Sequence, residues 1–404
     1  MRVPLASSGL RDEDIAAVIR VLKSGNLTMG QEVKKFEATM SEYLGVKHFV
    51  MVNSGSSANL LMIEALMRPA VSRPRLNPGD SVLVPAIAWP TTIWPLIQLG
   101  LNPVFVDIDP NTLALDLVSA QKLIDSSRIP VRGIFPIHPL GFAIPPSSLD
   151  KFIVKNDLIL INDVCESLGS WSEGKHAGTS GIAGSFSFYF SHHITTMEGG
   201  GVATNEDALA DDLRSMRSHG WSRDRSDVNE WNSQVSSNDS KFLFVSTGYN
   251  LRPMEIQAAI GSLQITEIDR FVSKRRAIAR RVSDSLLGTC LSVIGGTTLI
   301  NEEEERTNSW MLIPIRVNTE NALAYKNLIL AELTRLEIET RPVLTGNFLS
   351  QPAIQRITRH SVDPNSFKAA TEITDTTFLV GAHHDLSDEQ ISFLCSSLRN
   401  ASSI

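Results

Sequence analysis

Leu158 to Ile161 is a wholly apolar run that passes straight into Asn162 and Asp163. Such a strand leaves no face for water, which suits a parallel strand covered by helices on both sides. That demand sets the architecture, because short buried strands must then alternate with amphipathic helices. The rest of the chain keeps to the pattern. Strands are predicted over 48–52, 81–85, 103–107, 133–137 and 201–204, and helices over 12–23, 33–43, 114–124 and 209–218. Ile15, Val18, Ile19 and Leu22 form the apolar face expected of the first helix. A long helix over 254–281 is expected to lead into a second unit, where strands over 311–317 and 378–381 alternate with helices over 322–336 and 387–398. At 404 residues, two or three domains are expected. Residues 223–241 are polar and read as a mobile surface loop.

The strand ends carry the chemistry-bearing residues. Asp163 stands where its strand emerges; a buried acid is costly unless paired, so it meets a cation or caps a helix. Asn53 to Asn59, NSGSSAN, joins a strand to a helix start, which makes either an anion cradle or a plain N-cap. Trp89 follows the strand over 81–85 and either stacks on a planar ring or fills the core. Between Ser185 and Gly201 a strand, alternating Phe186, Phe188 and Phe190 with polar residues, leads through His192 and His193 to three glycines. Hydroxyls, imidazoles and a glycine turn at a buried strand end make an α/β active site.

Composition excludes several classes. The net charge is −7 and no Lys/Arg-rich block occurs, so a nucleic-acid partner is not expected. Cys165, Cys290 and Cys395 are far apart, with no zinc or iron–sulfur spacing, and are expected to be reduced thiols without a metal. No signal-type apolar segment opens the chain, and no run approaches the roughly 20 apolar residues of a membrane span, so a cytoplasmic location is expected.

The motifs occur in a telling order: PLASS, NSGSSANLL, PVFVDID, NDVCES, SFSFYFSHH, MEGGG, RSHGW, GYNLRP and RPVLTGNF. This succession resembles the fold-type I pyridoxal-phosphate enzymes, and most closely the DegT/DnrJ/EryC1/StrS sugar aminotransferase family. The resemblance implies an aspartate aminotransferase-like α/β fold. A large cofactor-binding domain with a central mostly parallel sheet would span 1–255, and a smaller α/β C-terminal domain would span 256–404. It also implies a homodimer with shared active sites. Asp163 would pair with the pyridinium nitrogen, Gly55, Ser56 and Ser187 would hold the phosphate, and Trp89 would stack on the ring. Glu166 falls within the same cofactor-binding set. Asn250 would reach the cofactor phosphate of the other subunit.

One departure bears on function. In the aminotransferases the residue five after the strand serine is the lysine that forms the Schiff base, whereas five after Ser187 comes His192. An imidazole cannot form that bond, so the cofactor would not be tethered. The substitution resembles the branch of pyridoxamine 5'-phosphate-dependent sugar 3-dehydratases. That branch implies C3 dehydration of a nucleotide-linked 4-keto-6-deoxyhexose, GDP-4-keto-6-deoxy-D-mannose above others, with ammonia released and L-glutamate as amino donor. His192 would be the base; an imidazole titrates at about 6.5 against about 10.4 for lysine. Two other readings stand beside it. One is a pyridoxal 5'-phosphate-dependent nucleotide-sugar aminotransferase using another lysine, such as Lys175 or Lys241. The other is a non-catalytic nucleotide-sugar-binding homologue. His193 is either catalytic or structural, His219 has no assigned role, and His383-His384 reads as a surface or substrate-side pair.

Overall fold

The structure, a computed structural model, describes residues 1–7, 9–69, 74–126, 130–295, 307–357 and 362–403. Its larger sheet has seven strands: β1 (His48–Val52), β2 (Ser81–Pro85), β3 (Asn102–Val106), β4 (Val131–Ile134), β5 (Ile159–Asp163), β6 (Ala183–Ser187) and β7 (Gly200–Thr204). In space they run β1-β7-β6-β5-β4-β2-β3. Pairings from β6 across to β3 are parallel, while β7 is antiparallel to both its neighbours. Every residue of β2, β5 and β7 is buried, as expected of strands covered on both faces.

The parallel strands deliver their C-terminal ends to one edge, and the residues just beyond each end shape the local backbone. After β1, Ser54 takes an extended conformation and its side chain accepts from the Ser57 N–H at 3.1 Å, starting α3 (Gly55–Leu66). After β2, Trp89 precedes Pro90, whose fixed φ opens α4 (Pro90–Gln98). β6 is shorter than the alternation suggests. Its ladder ends where Ser187 faces Gly200, although the Phe188 N–H still reaches Gly199 O at 2.9 Å. Phe186 and Phe188 are buried beneath the helix over Gln31–Leu44, with Phe188 edge-on to Phe36 at 5.3 Å, whereas Phe190 is 43% exposed.

Gly200 lies between Val52 and Ser187 in the ladder, directly under the start of α3. A Cβ there would stand inside contact distance of the Ser54 carbonyl and the Gly55 nitrogen, backbone atoms that cannot rotate away. Gly200→Ala should therefore destabilise the fold by about 1–3 kcal/mol and weaken anion binding at the α3 N-terminus. Thermal unfolding and phosphate-ester titration would check both effects.

A second sheet runs β8-β9-β11-β10, built from β8 (Leu291–Val293), β9 (Leu312–Val317), β10 (Thr340–Arg341) and β11 (Thr377–Gly381), all antiparallel. The helix expected over 254–281 is two helices, α5 (Glu255–Gln264) and α6 (Ile268–Ser285), separated by a 3₁₀ turn at Ile265–Glu267. At the break, Thr266 Oγ1 donates to the Leu263 carbonyl at 2.7 Å, a local bond that competes with helix propagation. The helix expected over 114–124 starts later, at Leu117, because Asp116 accepts from the Val118 and Ser119 N–H groups at 3.0 and 3.1 Å.

The first helix, Asp12–Ser24, departs from its expected orientation. It buries Asp14, Ala17 and Val21, leaving Ile15, Ile19 and Leu22 exposed. Asp14 turns inward because Arg11 and Gln264 both donate to its carboxylate, at distances of 2.9 to 3.0 Å. Residues 223–241 contain short helical turns at Val228–Asn232 and Asp239–Phe242 instead of a featureless loop. Arg225 braces this segment through Asp227 at 2.7 Å and Asp212 at 3.1 Å.

Candidate active site

The strand ends enclose a cavity of about 290 Å³. Gly55, Ser56, Trp89, Asp163, Glu166, Ser187 and His192 all line it. Seven of the eight residues singled out from sequence thus meet in one place; Asn250 does not. Asn250 is exposed, and its Oδ1 accepts from Arg252 Nε at 3.0 Å.

Asp163 ends β5 and caps no helix, and its hydrogen-bond partners among the described residues are all neutral. Asn59 Nδ2 donates to Oδ2 at 2.9 Å, Thr92 Oγ1 donates to the same oxygen at 2.7 Å, and the Cys165 N–H reaches Oδ1 at 3.1 Å. Neutral donors keep the carboxylate oriented while leaving its charge uncompensated. At the opposite wall, the first-turn N–H groups of Gly55 and Ser56 have no carbonyl four residues back within α3. Helix polarity adds attraction for an anion. A side chain at Gly55 would collide with Ser187, so the cradle requires glycine. Trp89 is 50% exposed, which removes the core reading and leaves its indole at the cavity wall.

Glu166 closes the floor. Oε2 accepts from the Leu140 N–H at 3.0 Å, and Arg341 approaches Oε1 at 3.4 Å. Burial pushes its pKa up, with Arg341 opposing the shift. His192 Nδ1 lies 3.3 Å from the Ser187 carbonyl. A carbonyl only accepts, so Nδ1 carries the proton and the lone pair is on Nε2. Burial pushes the His192 pKa down to about 4, so at ordinary pH the imidazole is neutral and its Nε2 lone pair is free to accept a proton, as a weaker base than a solvated imidazole.

Its neighbour His193 is buried outside the main cavity lining, and Nε2 bonds the Ser309 carbonyl at 3.2 Å. His383 and His384 form neither a surface pair nor part of the main cavity wall. His384 stacks on Phe271 with centroids 3.7 Å apart, and His383 Nε2 is 3.2 Å from Pro4 O. His219 is exposed, away from the cavity, with φ of 65°. Asn59, Thr92 and Arg341 were not singled out from sequence. Asn59 could have been, since it falls four residues after Gly55 and so on the same helix face. Among the described residues, no group of three or more His, Cys, Asp or Glu could hold a metal ion, and no helix is long and apolar enough to cross a membrane.

Residues 9–399 match the DegT/DnrJ/EryC1/StrS aminotransferase family. The chain belongs to this family. The new member is 37% identical over 389 residues to the GDP-4-keto-6-deoxy-D-mannose 3-dehydratase of Escherichia coli O55:H7, covering 96% of this chain and 97% of the relative. The structure of the E. coli GDP-4-keto-6-deoxy-D-mannose-3-dehydratase with bound hydrated PLP superposes with a TM-score of 0.88 at 35% identity, covering 98% of this chain and 99% of that one. A second structure of GDP-4-keto-6-deoxymannose-3-dehydratase, with a trapped PLP-glutamate geminal diamine, gives the same TM-score of 0.88 at 35% identity, covering 98% and 100% of the two chains. The family member thus has the aspartate aminotransferase-like α/β fold expected from its motifs.

Proposed function

We propose that this protein is a pyridoxamine-phosphate-dependent dehydratase that removes the C3 hydroxyl of a nucleotide-linked 4-keto-6-deoxyhexose, with GDP-4-keto-6-deoxy-D-mannose the preferred substrate. The observation that carries this reading is His192, a neutral imidazole with its lone pair on Nε2, in a cavity that no lysine lines among the described residues. Full-length similarity to dehydratases of that name supports the substrate class.

The residues fit the cofactor. The uncompensated Asp163 carboxylate suits a protonated pyridine nitrogen, the first turn of α3 with Ser187 suits its phosphate, and Trp89 suits its ring face. Glu166 completes the cofactor-binding set. When bound, pyridoxamine phosphate supplies the amine that condenses with the sugar ketone and a conjugated ring that drains electrons. Asp163 keeps the ring nitrogen protonated, and the Asn59 and Thr92 bonds hold that carboxylate in line. His192, with its lone pair on Nε2, would serve as the base that accepts the proton released as the C3 hydroxyl leaves. The amino product hydrolyses in water to the 3,6-dideoxy-4-ketose and ammonia. L-glutamate restores the amine, so one turnover removes one oxygen from the sugar and forms one ammonia and one 2-oxoglutarate.

Two copies of the chain are proposed to complete each site. The exposed Ile15, Ile19 and Leu22 form an apolar helix face suited to burial against a partner, and Asn250 lies outside its own cavity, where a second subunit could use it. We place the boundary between the large and small domains at residue 255/256 and the protein in the cytoplasm.

The test incubates the full chain with pyridoxamine phosphate, L-glutamate and the GDP-sugar, and measures sugar mass and ammonia. Equimolar oxygen loss and ammonia support the dehydratase; a bound but unchanged sugar would make the protein a binder. The rival aminotransferase needs another lysine. Lys175 and Lys241 are exposed and outside the cavity, so Lys175→Ala and Lys241→Ala should leave turnover within about twofold of wild type. A loss of activity in either variant would favour the aminotransferase.

A further inference from the structure

Arg275 lies on α6, in contact with the backbone on which His192 sits, and is only 1% exposed. Among the described residues its guanidinium hydrogen-bonds no carboxylate, and Asp385 is the one acidic group whose charge acts on it. Nη1 donates to the carbonyls of Met311 at 3.0 Å and Trp310 at 3.3 Å, and Nη2 donates to the carbonyl of His192 at 3.3 Å. One planar fork therefore ties the segment that carries His192 to the segment that places Met311 in the cavity wall. The adjoining Arg276 reinforces the second segment through the Asn308 carbonyl at 2.9 Å.

Burying a guanidinium without a contacting carboxylate is expensive, and an apolar side chain of similar volume is often the more stable choice at such positions. Stability alone is thus a poor account of Arg275. We propose that Arg275 is a positioning residue for His192, fixing its main chain from behind so that the imidazole keeps its place against the cavity. This rests on His192 being the base in the reading above.

Several titratable groups face His192: Tyr189 stands edge-on to its ring with centroids 6.0 Å apart, and Cys165 lines the same cavity. Arg341 and Asp163 face it from the front, where Glu166 and Glu198 also line the cavity, and Arg275 and His193 lie behind. His383 and His384 share with His192 a small rear cavity of about 10 Å³. The Arg275 charge is one of the influences that keep the imidazole neutral, after burial. Two variants separate position from charge. Arg275→Lys keeps the charge but cannot reproduce the fork, whereas Arg275→Met removes both.

The experiment reads four quantities in the full chain: thermal midpoint, pyridoxamine-phosphate affinity, single-turnover dehydration rate, and the pH dependence of carbethoxylation of the peptide containing His192 by diethylpyrocarbonate. Arg275→Lys is expected to slow turnover about tenfold and Arg275→Met about a hundredfold, with cofactor affinity preserved. The carbethoxylation midpoint should stay near wild type in Arg275→Lys and move to higher pH in Arg275→Met. Turnover within twofold of wild type in both variants would overturn the proposal. So would a rate loss matched by an equal loss of folded, cofactor-binding protein. If the wild type does not dehydrate the sugar, the functional reading fails, and the carbethoxylation profiles still decide whether Arg275 controls His192.

Discussion

His192→Asn is expected to slow dehydration by about 10²–10⁴-fold while leaving cofactor affinity nearly unchanged. An asparagine side chain occupies much of the imidazole's place but has no basic nitrogen at neutral pH. The groups proposed to hold the cofactor are elsewhere: Asp163 at the end of β5, Gly55 and Ser56 in α3, and Ser187, whose carbonyl is the hydrogen-bond partner of His192 Nδ1. Turnover and binding should therefore separate. Rapid-mixing measurement of dehydration, alongside titration with pyridoxamine phosphate, gives both numbers from the same preparation. Equal losses in rate and affinity would indicate that His192 builds the site without acting as its base.

Asp163→Asn should act in the opposite way. Pairing a buried carboxylate with a cation and then removing one partner costs about 3–5 kcal/mol, so affinity for pyridoxamine phosphate should fall by about 10²–10³-fold or more. Turnover at saturating cofactor should also fall, because an amide cannot keep the ring nitrogen protonated. The chain without cofactor should respond differently. There the amide's NH2 must face a group that now donates to Asp163, so the thermal midpoint should fall only modestly, by far less than cofactor affinity. Calorimetry with and without cofactor would show stability and binding moving apart. A large loss of stability in the cofactor-free chain would mean that Asp163 is chiefly structural.

The sequence was most informative where one residue has few physical alternatives. An apolar strand ending in Asn162-Asp163 fits a buried parallel sheet, and the glycines and serines of NSGSSAN fit a helix start open to an anion. Those features point to Asp163, Gly55 and Ser56; the other site residues came from the family resemblance, and seven of the eight line one cavity. Tertiary partners decided what periodicity could not. The first helix has its apolar stripe on the exposed side because Asp14 finds Arg11 and Gln264 inside, and no pattern within one helix reveals a partner 250 residues away. The helix over 254–281 breaks at Thr266, where one hydroxyl outweighs an otherwise helical pattern. Thr92 and Arg341 were missed for the same reason. Each is an ordinary residue locally, and each becomes part of the site only when separate strand ends converge.

The most direct test of the central claim traces the nitrogen of ¹⁵N-labelled L-glutamate through turnover with pyridoxamine phosphate and GDP-4-keto-6-deoxy-D-mannose. With His192 acting as a base and no lysine lining the cavity among the described residues, the label should appear as free ammonia, in amounts equal to a sugar that has lost one oxygen. Label retained at C4 of the sugar, with the C3 hydroxyl still in place, would contradict the account and make the protein an aminotransferase.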